Sequence, residues 1–231
     1  MRQLGDAAST TGRGVQGAAV EALAQRIVDG TYGEGETLSS PELMEELDLS
    51  QTLLREAIKV LVTKGLLGTR QEHGTVVRPR DEWNLLDADV LRWKLAAGPS
   101  SDFFADVLEL RRSIEPAAAA LAAERRTDDD LAALNAALSA MAATGGDAEL
   151  LVRADASFHT AMLIASNNRF YAQMYRVIVP VIIQRDRAAH AEGASEHPAH
   201  AAVVEAVRDR DVDGAYMAML ELLDKSARDH P

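Results

Sequence analysis

Three residues in the C-terminal half of the chain have types suited to holding a metal ion. Asp155 and His159 are four residues apart, so on a helix they would lie on one face. Phe158 and Met162 would turn this helix towards a core, and His200 begins another segment with helical apolar spacing. Two imidazoles and one carboxylate suit zinc, nickel or a similar divalent cation, with coordination positions left open. The set Asp155, His159 and His200 is therefore a candidate metal site.

Alternatives to this metal site remain open in the sequence. A lone Asp/His pair at this spacing is commonly a surface ion pair. Asp155 and His159 could also hydrogen-bond an organic ligand directly, without a metal. His197 competes with His200 for the third position. The other histidines of this half are expected at the surface: His190 and His230.

Arg111 is the residue best suited to bind an anion in the same half. It lies in an Ala/Leu-rich segment, where a buried arginine is costly unless it is paired, and Glu115 is a ready partner four residues on. Its planar guanidinium could instead grip the carboxylate of a ligand. Other oxygens of that ligand would need polar groups from neighbouring helices. The candidate effector site is Arg111, Glu115, Asp155, His159, Asn168, Gln184, Arg185 and His200.

Helices must position these residues, because the chain beyond residue 80 is rich in Ala, Leu, Asp and Arg and shows little β alternation. Gly, Pro and Asn pairs separate the apolar stretches. Helices are predicted at 82–96, 102–124, 128–143, 147–166, 169–190, 196–209 and 211–229. Short connections favour antiparallel neighbours, so residues 81–231 are predicted to form an all-α antiparallel bundle.

Residues 38–80 carry a different pattern, of two short helices followed by a β-hairpin. Pro41 suits the first turn of the first helix, and Ser50 can cap the second, which is predicted to end near Gly65. On the second helix an apolar arc opposes a polar one. Residues 66–70 and 75–78 alternate around Gly74 as a hairpin would. Residues 15–80, beginning with a helix at 15–29, are therefore predicted to be a winged helix-turn-helix domain that reads DNA, after a loose tail at 1–14.

The charge distribution agrees with DNA binding despite a net charge of −12. Residues 51–80 hold six basic side chains against only Glu56 and Glu72, so positive charge is concentrated on the proposed reading segment. The basic side chains are Arg55, Lys59, Lys64, Arg70, Arg78 and Arg80. The predicted DNA-binding residues are Ser40, Gln51, Thr52, Arg55, Lys59, Arg70, His73 and Gly74.

Composition excludes several other classes of protein. The chain has no cysteine, which excludes disulfides and thiolate zinc sites. No apolar run approaches the roughly 20 residues that span a bilayer, and no signal-peptide core is present at the N-terminus. We therefore expect a soluble, cytoplasmic protein with no membrane partner.

The order of residues in the N-terminal segment resembles the DNA-binding domain of the GntR family of bacterial repressors. The matching positions are Leu38-Ser39, Glu42-Leu43, Leu49-Ser50, Arg55-Glu56-Ala57, Leu61 and Gly65-Leu66, with His73-Gly74 at the wing tip. Two positions depart from the family, which usually has arginine where this chain has Pro41 and Gln51. Since arginine favours guanine and glutamine favours adenine, the operator is expected to differ from the usual half-site.

The C-terminal half resembles the FCD ligand-binding domain of the FadR subfamily. The segment from Leu110 to Pro116 matches its LR…EP motif, and Asp155 to His159 matches its DxxFH motif. The resemblance implies that His200 is a third metal ligand and that the ligand is a small organic acid. The fourth metal ligand of the family, a histidine, corresponds to Leu222 here, so a cation would rely on three protein ligands.

Residues 79–93 narrow the resemblance to a subgroup. This segment resembles the linker of galactonate-operon repressors, which also lack the fourth histidine. Trp83 and Trp93, ten residues apart on one predicted helix, are expected to pack in a core. The resemblance implies a homodimer that binds a palindromic operator and leaves it when a sugar acid binds.

Two other function classes fit parts of the sequence. A metal-dependent hydrolase could use an open cation position to activate water, but the chain has no HExxH-like general base. An architectural DNA-binding protein without a ligand would have no use for the polar set around Arg111. An effector-responsive repressor, not an enzyme, is the expected function.

Overall fold

In a computed structural model, residues 14–70, 74–189 and 197–229 are described, and the chain divides into two compact units. One unit ends at Pro99 and the other begins at Ser100. The sequence placed the boundary at residue 80 instead. The N-terminal unit reaches further because Trp83, Val90 and Trp93 lie in its apolar core.

The N-terminal unit is a winged helix-turn-helix, as the sequence predicts. Its helices are α1 (Val15–Val28), α2 (Ser40–Glu46), α3 (Gln51–Thr63) and α4 (Ala88–Ala96), with a 3-10 turn at Arg80–Glu82. Its strands are β1 (Thr37–Leu38), β2 (Leu67–Arg70) and β3 (Gly74–Val77). They form one antiparallel sheet in the order β1-β3-β2. The predicted hairpin is β2 and β3, while β1 is an additional strand in which Thr37 pairs with Val76.

The residues flanking α3 explain where this helix begins and ends. The Ser50 side chain accepts a hydrogen bond from the Leu53 amide at 3.3 Å, which caps the first turn. Gly65 follows the helix with φ of 83°, and a Cβ there would lie 3.0 Å from the Glu82 carbonyl oxygen. Leu54, Ala57 and Leu61 are buried, so the opposite face of α3 is left towards solvent.

Lys64, directly after α3, is buried in an ion cluster. The sequence placed it among the basic residues of the reading surface, and this part of the prediction is wrong. Lys64 Nζ lies 2.8 Å from Asp87 Oδ1 and 2.9 Å from Asp89 Oδ2. Burial alone lowers the pKa of Lys64, but the two carboxylates raise it overall. Arg92 continues the cluster to α1, because its Nη2 lies 3.4 Å from Asp89 Oδ1 and also pairs with Glu21. Trp93 Nε1 donates to the other oxygen of Glu21, Oε2, at 2.6 Å.

The single helix predicted over 82–96 is wrong in its first part. Asp87 accepts hydrogen bonds from the amides of Asp89 at 2.9 Å and Val90 at 3.2 Å, so it caps a helix that begins only at Ala88. Trp83 therefore lies outside α4, and its Nε1 donates to the Arg78 carbonyl at 3.1 Å. Both tryptophans are buried, as expected for core residues.

The C-terminal unit is an all-α bundle. Its helices are α5 (Ser101–Arg125), α6 (Asp128–Ala142), α7 (Ala148–Ala165), α8 (Arg169–Gln173), α9 (Tyr175–Ala189), α10 (His197–Asp209) and α11 (Val212–Asp229). The helix predicted at 169–190 is broken at Met174 into α8 and α9. Helix α5 packs on α7, α10 and α11, and α7 packs on α9, which places α5 and α7 side by side inside the unit. No helix in the described parts of the chain is long and apolar enough to cross a lipid bilayer.

The ion cluster around Lys64 predicts how the stability of the N-terminal unit responds to the loss of one charge. Lys64→Met should lower the free energy of unfolding of the N-terminal unit by about 3 kcal/mol, because the buried Asp89 would lose this cation, while its contact with Arg92 is longer, at 3.4 Å. Both tryptophans lie in this unit, so their fluorescence during urea unfolding measures it selectively. Lys59→Met is the control and should change stability by less than about 0.5 kcal/mol, since its pair with Glu56 is exposed. Equal losses in the two variants would contradict this account.

Candidate functional site

The exposed face of α3 carries the polar residues that the sequence assigned to DNA reading. Gln51, Thr52, Arg55 and Lys59 are all exposed, opposite the buried apolar arc of the helix. Lys59 pairs with Glu56 at 2.7 Å. Arg55 makes no ion pair within the described part of the chain, so its guanidinium is available to a phosphate or a base edge.

The remaining predicted DNA contacts lie around this helix and on the wing. Ser40 is exposed in the first turn of α2. Arg70 ends β2, and the exposed Gly74 begins β3 with φ of 73°. His73 lies outside the described residues.

The candidate metal residues converge in the C-terminal unit from two different helices. Asp155 and His159 lie on α7, and His200 lies on α10. His200 Nε2 is 2.8 Å from Asp155 Oδ1, and His159 Nε2 is 3.6 Å from Asp155 Oδ2. One potential ligand atom from each residue lies within 4.8 Å of those of the other two. His200 therefore lies beside Asp155 and His159, where the sequence predicts the third ligand, while the side chain of the competing His197 is outside the described part of the chain.

Glu115 joins Arg111 to this group through its two carboxylate oxygens. Its Oε1 accepts from Arg111 Nε at 2.6 Å, and its Oε2 lies 2.5 Å from His159 Nδ1. On the other side, Arg111 Nη2 lies 3.2 Å from His159 Nε2. All three side chains are almost fully buried, at 3%, 1% and 2% exposure for Arg111, Glu115 and His159.

The electrostatics keep both carboxylates of the site ionised. Burial alone raises the pKa of Glu115, but the Arg111 charge and the contact with the His159 ring lower it to about 2. Burial likewise raises the pKa of Asp155, whereas His159, His200 and Arg111 hold it below its ordinary value. An ionised Asp155 beside two imidazoles is the state in which the group can bind a cation.

Phe158 fixes the orientation of both imidazole rings. Its ring packs edge-on against His159 at a centroid distance of 5.2 Å and against His200 at 4.7 Å. Phe158 itself is fully buried. The two rings are therefore held in place by packing as well as by their polar partners.

The donor set fits a divalent cation. A histidine that binds a metal through one ring nitrogen generally donates its other N–H to a carboxylate or carbonyl, which is the relation of His159 to Glu115. Leu222 is 1% exposed within the apolar core, so the position of the family's fourth ligand holds only carbon. A cation would thus have three protein ligands and open positions for a ligand oxygen or water.

Among the contacts of the described residues, none brings three of the predicted effector residues to this group. Asn168 caps α8, since its Oδ1 accepts from the amides of Phe170 at 2.9 Å and Tyr171 at 3.4 Å. Gln184 is exposed on α9. Arg185 donates both Nε and Nη2 to Asp186 Oδ1, at 2.9 and 2.7 Å.

Asp186 is a residue of this region that the sequence reasoning missed. It is 3% exposed. Burial lowers the pKa of Arg111, but the charge of Glu115, with a smaller contribution from Asp186, raises that pKa overall. Its spacing offered a signal, because Asp186 falls four residues after Ile182 and eight after Ile178, both of which are buried. An acid on the apolar face of a helix is an indication of a buried polar site.

Comparison with known proteins agrees with both units. Residues 16–77 match the family of bacterial regulatory proteins called gntR, and residues 106–225 match the FCD domain. The galactonate operon transcriptional repressor of Escherichia coli K12 is 34% identical over 89% of this chain and 92% of its own length. The transcriptional repressor NanR of Salmonella arizonae is 30% identical over 86% of this chain and 78% of its own length.

Solved structures show the same relationship. A GntR protein of Streptococcus agalactiae is 25% identical, with a TM-score of 0.51, over 93% of this chain and all of its own. Lar, which controls expression of the agr system of Listeria monocytogenes, has a TM-score of 0.62 over 95% of this chain and 97% of its own. At 16% identity, this similarity shows the fold alone. The chain belongs to the GntR family of bacterial transcription regulators, with an FCD domain as its ligand-binding unit, and is a DNA-binding, ligand-responsive repressor, not an enzyme.

Proposed function

We propose that this protein is a cytoplasmic homodimer that represses a sugar-acid catabolic operon and leaves its palindromic operator when a small polyhydroxy acid binds. The observation that carries the proposal is the group formed by Arg111, His159 and His200, all buried, with the half-buried Asp155, in a chain that also carries a DNA-reading unit. A helix-turn-helix dimer reads two half-sites about one helical turn apart. The 34% identity to a galactonate operon repressor supports the ligand class.

The DNA contacts proposed for α3 follow from its exposed face. Arg55 is the main base-reading or phosphate-binding residue, because it is exposed and unpaired among the described residues. Gln51, at the first turn, favours adenine N6 and N7 in the major groove. The supporting contacts come from Ser40, Thr52, Lys59, Arg70, His73 and Gly74.

Charge balance supports a cation in the sensor site. The positive charge of Arg111 is already offset by Glu115 at 2.6 Å, and Asp155 and Asp186 add negative charge nearby. A carboxylate entering this site would meet net negative charge as long as both histidines are neutral. A divalent cation, such as zinc or nickel, on Asp155, His159 and His200 would reverse that balance and supply a Lewis acid for a ligand oxygen.

The polarity of the site supports a polyhydroxy acid as the effector. Arg111 offers N–H donors for a carboxylate, and the cation offers a position for a hydroxyl oxygen. Asp186, close enough to influence Arg111, is suited to accept a further hydroxyl. Glu115 supports Arg111 and His159 and has no oxygen left without a partner. A long apolar chain would leave these buried polar groups unpaired, at a cost of about 1–3 kcal/mol each.

Release from DNA requires that the acid discriminate between two states of the dimer. A ligand shifts such an equilibrium only by its difference in affinity for the two states. The acid must therefore bind more tightly to the dimer that does not hold the operator. By linkage, the operator weakens binding of the acid by the same factor.

Arg55→Ala should weaken operator binding about 10- to 100-fold, as expected for loss of about 1–3 kcal/mol at a base contact. Its melting temperature should stay that of the wild type, since the side chain is exposed. Fluorescence anisotropy with a duplex that the wild type selects from a randomised pool measures the effect. Arg112→Ala is the control, an exposed arginine of α5 whose loss should leave affinity unchanged. Equal affinity of Arg55→Ala and wild type would show that α3 does not read the operator.

Gln51→Arg should shift the preferred half-site from adenine to guanine at one position, because arginine pairs with guanine O6 and N7. Selection of both proteins against the same randomised operator pool measures the shift. Identical selected sequences would contradict a base-reading role for Gln51.

Chelation should abolish the response to sugar acids. Galactonate or gluconate is expected to raise the melting temperature of zinc-loaded protein and release it from the selected duplex, and neither effect should survive EDTA. A ligand at 100 times its Kd contributes about 2.7 kcal/mol of stability, well within reach of a thermal-shift assay.

His159→Ala should lose zinc and the acid response but keep DNA binding. Binding of a fatty or aromatic acid, with sugar acids weaker than millimolar, would overturn the ligand class.

A further inference from the structure

The hydrogen bonds around His159 set an order in which the site can be filled. We propose that Arg111 is a latch on this site: its hydrogen bond to His159 has to break before His159 can bind a metal. This inference rests on the proposed function. Arg111 Nη2 lies 3.2 Å from His159 Nε2, the atom that would ligate a metal. Arg111 has to give up this contact before His159 can ligate a metal. Only then are the Nη2 donors of Arg111 free to bind the carboxylate of the effector.

The proton positions follow from the partners of each atom. Ionised Glu115 is an acceptor only, so His159 Nδ1, 2.5 Å from Glu115 Oε2, carries a proton and donates it. Arginine is a donor only, so the 3.2 Å contact of Arg111 Nη2 with His159 Nε2 requires a lone pair on that nitrogen. A proton there would place two donors face to face. The lone pair of His159 Nε2 is thus directed at Arg111 Nη2.

That lone pair cannot serve two partners. A neutral imidazole binds a metal through this same pair of electrons. Arg111 must therefore turn Nη2 away from His159, while its Nε remains anchored to Glu115 Oε1 at 2.6 Å. Because the anchor is kept, the movement is a swing of the outer guanidinium and not an expulsion of the side chain.

Glu115 is accordingly a positioning residue for both partners. One oxygen selects the tautomer that leaves His159 Nε2 unprotonated. The other holds Arg111 Nε, so that Nη2 can turn from His159 to the carboxylate of the effector. The freed pair of N–H groups matches the fork of a carboxylate. Cation and acid should then bind in that order, and each should raise the affinity for the other by the same factor.

Zinc affinity alone tests the latch. Arg111→Lys keeps the positive charge but removes the planar guanidinium, whose Nε and Nη2 contact Glu115 and His159 at the same time. Without the competing hydrogen bond, the variant should bind Zn²⁺ about five- to tenfold more tightly than the wild type, the equivalent of one net hydrogen bond. Competition with a chromophoric chelator measures this on the full chain. Arg112→Lys, the same change one residue along α5, should bind Zn²⁺ as the wild type does.

A second measurement on the wild type needs no variant. Imidazole ¹⁵N shifts should show His159 protonated at Nδ1 and unprotonated at Nε2 before zinc is added. Protonated Nε2, or zinc binding by Arg111→Lys that is no tighter than that of the wild type, would overturn the latch. If the wild type still binds zinc and responds to galactonate, the proposed function stands and only the latch falls. If the wild type binds neither zinc nor any sugar acid, both fall.

Discussion

The Glu115 carboxylate, shared between Arg111 and His159, is the interaction on which the sensor unit depends. One of its oxygens ties α5 to α7 through the contact with His159, and the other holds Arg111 of the same helix, among side chains that are almost fully buried. Removing one member of such a buried group costs about 3–5 kcal/mol, because the others are left without a partner. The group is therefore assembled before any ligand arrives. His200 of α10 joins it through Asp155, so three helices meet at one set of charges.

The reader unit uses the same physical device for a different purpose. Lys64 follows the recognition helix directly and is held by Asp87 and Asp89 at the start of α4. This cluster fixes the end of α3 to the segment that follows the wing, and Arg92 extends it from Asp89 to Glu21 of α1. The reading face can then consist of exposed side chains, since none of them is needed to hold the helix in place.

Local signals predicted the helices that carry function. The Ser50 cap and the 3.6-residue spacing of Leu54, Ala57 and Leu61 indicated α3 and its exposed face. The four-residue spacing of Asp155 and His159 indicated a shared face of α7, and the structure brings His200 to it. The spacing along α3 and along α7 depends on residues close in the chain, which is why the sequence alone revealed these two faces.

Features that depend on distant residues were missed. The two-residue strand β1 is too short to show alternation and exists because it pairs with β3. Lys64 read as a surface cation because its carboxylate partners lie more than twenty residues later. Asn168 resembled a ligand-binding amide but caps α8, a helix that the sequence merged with α9. In each instance tertiary contacts decided the outcome over the local pattern.

Diffraction at the zinc absorption edge, from crystals grown with Zn²⁺ and galactonate, tests the central claim most directly. The account predicts one anomalous peak per chain in the sensor unit, ligated by Asp155, His159 and His200. It also predicts an acid carboxylate on the Nη2 side of Arg111, with Glu115 still holding Nε. An empty site with Arg111 still on His159, or galactonate bound elsewhere, would contradict it.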